Sequence, residues 1–145
     1  MSAALYNATI LRLATSIPHQ ARLGRPHGTS ERRSPVCGSR VTVDVALGED
    51  GRVAALGQEV RACALGQAAA ALMGEHALGR SPGELAAARD RLAAFLAGDA
   101  DDPGAWPGLE IFAPARPHSA RHASIRLAFE AAAEAAERAR VGQAA

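Results

Sequence analysis

Apolar residues recur along the chain at two different periods. Tyr6, Ile10, Leu13 and Ile17 fall on one stripe of an amphipathic helix, which predicts a helix over residues 3–17. Pro18 stops it. Residues 18–35, rich in Pro, Gly, Arg and Ser, read as loop, with a short edge strand expected near 21–23. From residue 40 the period changes to two. Val41, Val43, Val45 and Leu47 lie on one side, with Thr42, Asp44 and Ala46 on the other, so 40–47 is a strand with one buried face. Asp50-Gly51 marks a hairpin turn, because Gly accepts the positive φ that a tight turn needs, and 53–60 is the return strand.

Helical spacing then resumes. Leu65, Ala69, Leu72 and Met73 form a stripe over 64–78. Ser81-Pro82-Gly83-Glu84 is a capping box with Pro at the first helical position. It opens a helix whose stripe is Leu85, Ala88, Leu92, Phe95 and Leu96 and which Gly98 ends. Residues 98–108, with their Asp and Pro residues, are an exposed acidic loop. A short apolar segment at 109–112 precedes a last helix over 119–139, with Ile125, Phe129, Ala132 and Ala136 inward, and an Ala-rich tail that frays. The expected fold is α+β: a small antiparallel sheet with helices packed on one face.

Composition narrows this picture. A chain of 145 residues favours a single domain over 1–145. Aromatic residues are only 3% against 48% apolar overall, so the core is built from Ala, Val, Leu and Ile. The net charge of +1 gives no general attraction to nucleic acid or to an anionic membrane. Every basic residue is Arg, so no side chain can form a Schiff base. No apolar run approaches the roughly 20 residues of a membrane span, and the first residues do not read as a secretory signal. Two cysteines make no disulfide framework. The expected location is therefore the cytoplasm, where reduced thiols serve as metal ligands or catalytic groups.

The candidate chemistry follows from the hairpin. Cys37 sits just before its first strand and Cys63 just after its second, and in an antiparallel pair those positions share one open end. Cys63 also opens a helix, where the macrodipole favours negative charge. His19 and His27 read as solvated loop residues, and His76 as a helix-end residue. His118, close to His122, is the alternative ligand in its place and is not counted in the expected set. Ser39 reads as an ordinary loop serine, with a weak ligand or a hydrogen-bond donor to sulfur as its functional alternative. Trp106 plugs the surface beside the last helix. The 99–102 acidic run reads as solvated, since calcium needs a fuller ligand loop. No Ser–His–Asp set, phosphate loop or supported carboxylate pair is present, so an enzyme is not expected.

Several segments resemble the U-type scaffolds of iron–sulfur cluster assembly, related to the N-terminal domain of the nitrogen-fixation scaffold. They are Tyr6-Asn7 with Ile10 and Pro18, Ser34-Pro35-Val36-Cys37-Gly38, Arg61-Ala62-Cys63-Ala64-Leu65-Gly66-Gln67-Ala68, and Arg121-His122-Ala123-Ser124-Ile125. Two positions depart from the family pattern. Ser39 stands where an Asp is usual, and Ala123 where a third cysteine is usual, next to His122. The resemblance implies Cys37, Cys63 and His122 as ligands of iron or a [2Fe–2S]-type cluster, with zinc as an alternative. Two thiolates and an imidazole can hold Zn²⁺ with one position open, and His replaces Cys in some iron–sulfur proteins. Fewer anionic ligands imply a more labile cluster. The implied partners are a cysteine desulfurase and apo iron–sulfur acceptor proteins, with the chain a monomer or weak dimer. The alternative function is a degenerate homologue acting as a zinc-binding or protein-interaction module. A third is a redox switch through a Cys37–Cys63 disulfide.

Overall fold

The computed structural model describes residues 5–35 and 38–144. Its elements in chain order are helix α1 (Ala8–Ala14), strands β1 (Gly28–Arg33), β2 (Arg40–Leu47) and β3 (Val53–Arg61), and helices α2 (Ala64–His76) and α3 (Pro82–Ala97). Two short 3-10 helices, Leu109–Ala115 and Ser119–Arg121, lead into helix α4 (His122–Ala144). The strands form a three-stranded antiparallel sheet in the order β1-β2-β3. Helix α4 crosses β1 and β2 and also packs on α2 and α3, while α1 rests on α2. This is the α+β arrangement expected from the sequence. Among the described residues, no helix is long and apolar enough to cross a membrane.

The core lies between α4 and the sheet. Val41, Val43 and Val45 meet it from β2, and Ile125, Phe129, Ala132 and Ala136 from α4; all are fully buried. Small side chains let backbones approach closely. At Gly28, the space a Cβ would fill is already held by the Ala135 carbonyl and the Ala139 amide of α4.

Several boundaries differ from the sequence reading. The helix expected over 3–17 begins at Ala8, because Asn7 caps it by accepting from the Ile10 amide at 3.0 Å. It ends at Ala14, and the Thr15 and Ser16 hydroxyls turn back to the Arg12 carbonyl. The early edge strand is not at 21–23 but at Gly28–Arg33. That strand has no apolar alternation to betray it. Its helix-facing positions are Gly28, Ser30 and Arg32; Ser30 donates to the Glu134 carboxylate of α4, and Arg32 pairs with Glu130 and Glu134. Arg138 of α4 adds a bond to the Thr29 carbonyl at 2.7 Å. The last helix starts at His122 after the second 3-10 turn, and the tail expected to fray is helical to Ala144.

Strand β2 is buried on both faces rather than one: Thr42 and Asp44 are covered as well as the valines. The segment between α1 and β1 lies across this second face. Gln58 donates its backbone N–H to the His19 carbonyl at 2.9 Å. Asp44 receives Arg22 Nε at 2.6 Å and Nη2 at 3.1 Å, Thr29 Oγ1 at 2.6 Å and the Leu23 amide at 3.0 Å. Burial alone would push the Asp44 carboxyl up, but these donors outweigh it and hold it below the ordinary carboxylate value.

Two elements match the sequence reading closely. Ser81 and Glu84 form the capping box of α3, and Gly98 closes that helix in the left-handed region at φ +87°. Gly51 turns the hairpin at φ +78°. Trp106 is buried beside the last helix, edge-on to Phe129 with ring centres 5.3 Å apart, and donates to the Leu72 carbonyl at 3.0 Å.

Candidate functional site

The open end of the β2–β3 hairpin is fixed by pairing. Arg40, the first residue of β2, lies opposite Arg61, the last of β3. Two residues after Arg61, Cys63 becomes the N-cap of α2, in extended backbone at φ −67° and ψ 171°. Its side chain makes no capping bond, so the sulfur is not committed to the helix end. Cys63 is a free, half-buried thiol.

The sulfur meets a hydroxyl. Cys63 Sγ lies 3.2 Å from Ser124 Oγ, and Ser124 Oγ lies 3.4 Å from Ser39 Oγ. Both serines are buried, at 2% and 4% exposure. Ser39 is thus not the ordinary loop serine of the sequence reading. Ser124 reaches this point because the first turn of α4 presses on the first turn of α2 at Gly66. A Cβ at Gly66 would stand 2.6 Å from Ser124 Oγ and 2.8 Å from Ala62 Cβ.

The loop ahead of β2 is closed by its own backbone. The Ser34 amide donates to the Ser39 carbonyl at 2.9 Å, and the Gly38 amide to the Ser34 carbonyl at 3.2 Å. Gly38 takes φ +73°, a conformation that Gly adopts without strain. Cys37, named as a ligand from the sequence, lies outside the described residues.

His122 opens α4. Its Nε2 lies 2.9 Å from the Ala115 carbonyl and 3.1 Å from the Arg116 carbonyl. Carbonyls only accept, so Nε2 carries a hydrogen, and in the tautomer protonated only there Nδ1 keeps its lone pair. His122 and Ser124 stand two apart on the helix and leave it on different sides. The structure therefore joins Cys63 to Ser124 and Ser39, and ties His122 to the end of the first 3-10 helix. Among the described residues, no three of His, Cys, Asp and Glu stand together as a set able to hold a metal. His118 is half-buried just before the second 3-10 turn. His27, read as solvated, is exposed, yet its Nδ1 accepts from the Leu47 amide at 2.9 Å. In the 99–102 run, Asp102 pairs with Arg91 at 2.9 Å.

Ser124 is the residue that sequence reasoning missed. The available signal was a small polar residue beside the apolar stripe of the last helix, with Gly66 one turn after Cys63. Neither points to the other until the two helices cross.

No family model and no curated protein matches the chain. Solved structures do. The N-terminal part of a nitrogen-fixing NifU-like protein from Brucella abortus is 34% identical, with a TM-score of 0.88, the match covering 94% of this chain and 95% of that one. A protein described as an iron–sulfur cluster assembly scaffold for the SUF system, from Fervidobacterium islandicum AW-1, shares the fold at a TM-score of 0.85 and 18% identity, covering 94% of this chain and 99% of that one. A hypothetical protein shares it at a TM-score of 0.80 and 20% identity, covering 93% and 98%.

Proposed function

The chain belongs to the U-type iron–sulfur cluster scaffold family, among its NifU-like members, and from that premise we propose that it is a scaffold or carrier for iron–sulfur cluster assembly. It receives iron, and sulfur from a cysteine desulfurase, holds a [2Fe–2S]-type cluster transiently, and passes it to apo-proteins. Cys37, Cys63 and His122 are its ligands. The chain performs no catalysis of its own; its cargo is the cluster.

The observation that carries this reading is Cys63: a free, half-buried thiol at a helix start on the hairpin's open end, touching a hydroxyl rather than sealed in apolar packing. Soft thiolate ligands suit iron–sulfur clusters and zinc. A carrier also needs its cargo incompletely enclosed, so that an acceptor's thiols can exchange in. The other two ligands are compatible with that centre. His122 gives Nε2–H to backbone carbonyls, the outer contact usual for a ligating imidazole, and this leaves Nδ1 as the donor atom. Cys37 is two residues before Ser39, so the covalent chain keeps their α-carbons within about 7 Å. Ser39 in turn contacts the serine that touches Cys63. Arg61 and Arg121, exposed beside Cys63 and His122, have no ion pair among the described residues and place positive charge next to an anionic centre.

Anaerobic reconstitution with iron and sulfide tests the reading. Visible absorption is expected in the wild type and is lost in Cys37→Ala and in Cys63→Ala. A wild-type protein that stays colourless rejects it.

One observation favours the second reading, a zinc-binding or protein-interaction module. Positions 39 and 123 carry uncharged residues, and Ser39 is turned inward onto Ser124. Stoichiometric zinc without iron or acid-labile sulfide in freshly purified protein selects that alternative.

A further inference from the structure

Ser124 is a buried hydroxyl between a sulfur and a second buried hydroxyl. We propose that Ser124 is a positioning residue for the Cys63 sulfur: its hydroxyl, itself receiving from Ser39, donates a hydrogen bond to that sulfur and sets how firmly it holds a metal. This rests on the metal-carrier reading and adds to it a role for two hydroxyls that are not themselves ligands.

The donor direction follows from valence. A hydroxyl has one hydrogen and two lone pairs. A sulfur bound to metal as thiolate can only accept. At 3.2 Å, Ser124 Oγ–H is therefore the donor to Cys63, which leaves its lone pairs for the Ser39 hydroxyl at 3.4 Å. The chain runs Ser39 to Ser124 to Cys63, each bond polarising the next. Both serines are buried, so this donation is not exchanged for water. The Ser124 hydroxyl and carbonyl lie 2.6 and 3.1 Å from the Cβ position of Gly66, so α4 is seated firmly against α2 there. A hydrogen bond to a ligand sulfur draws electron density from the metal–sulfur bond and fixes the sulfur's direction. Ser39 feeds this chain without adding negative charge.

Anaerobic titration with Co²⁺, a visible stand-in for Zn²⁺, reads the effect without any transfer assay. The wild type is expected to develop a sulfur-to-cobalt charge-transfer band that Cys63→Ala removes. In Ser124→Ala the band moves to longer wavelength, because the sulfur regains electron density, and affinity falls by about tenfold, the low end for loss of an outer-shell partner. Ser39→Ala gives a smaller displacement in the same direction. A role in packing alone would lower the melting temperature and leave the band in place. An unchanged band and affinity in Ser124→Ala overturn the proposal; if that variant does not fold, the band of Ser39→Ala decides. A wild-type protein with no Cys63-dependent band overturns the metal-carrier reading and this inference together.

Discussion

Asp44 concentrates the polar energetics of the fold in one side chain. It is fully buried, and its partner Arg22 is about half exposed, with 47% of its side chain accessible. Removing the carboxylate leaves Arg22 free to rehydrate, so the loss falls at the low end for a broken buried pair. Asp44→Ala is expected to cost about 3 kcal/mol, read from the urea midpoint at neutral pH. The pH dependence has a fixed sign. The folded-state value is lowered, so the carboxylate's contribution is complete above its unfolded value of 3.8 and fades as the pH falls below that. Asp44→Asn should flatten this acid limb. An unaltered limb in that variant would mean that other carboxylates dominate acid unfolding. Glu84 works in the same direction at the α3 cap. The Ser81 amide, with Arg52 and Arg80, draws it down to about 2.

At the scale of elements, the sharpest constraint is the contact of β1 with α4. Gly28 has backbone of α4 where a side chain would begin, and backbone cannot swing aside as a flexible side chain can. Gly28→Ala should push the edge strand off the helix at a cost of about 3 kcal/mol, the upper end of the overpacking range. Hydrogen exchange should accelerate first at Ser30 and Arg32, the β1 residues paired with Val43 and Val41 whose amides face β2. Protection retained there would show that α4 yields instead. Ser81→Ala, which deletes the α3 cap, should cost about 1 kcal/mol. These two elements also show what the sequence could reveal. Helix α3 and the β2–β3 hairpin were legible because their signals are local: a capping box, a left-handed Gly98, a turn Gly51. Strand β1 was not, because Gly28, Ser30 and arginines carry no hydrophobic alternation, and its burial comes from α4, far along the chain. The far end of α4 outran its apolar stripe because ion pairs extend it: Glu134 with Arg138, and Glu137 with Arg140.

Across the whole molecule, the candidate site was legible only as far as local chemistry reaches. Cys63 could be placed at a helix start on the hairpin's open end, since strand period and helix period both meet there. The contact with Ser124, and the burial of Ser39, arise from α2 crossing α4 at Gly66, which no local pattern announces. That crossing also ties the site to stability. Cys63 and Ser124 stand on the two helices that Trp106 joins, through its bond to Leu72 of α2 and its contact with Phe129 of α4. A ligand that grips Cys63 therefore stabilises the same core that the lone tryptophan reports. If unfolding is one cooperative transition, free Zn²⁺ at about 100 times its dissociation constant adds about 2.7 kcal/mol. For a chain of this size that raises the melting temperature by about 8 °C. Trp106 fluorescence and far-UV circular dichroism should move together by that amount. A chelator should reverse the shift, and Cys63→Ala should abolish it. Zinc bound with no change in melting would mean that the unfolded chain binds it equally well and that the fold builds no site, because a ligand taken up only by the folded state must stabilise it.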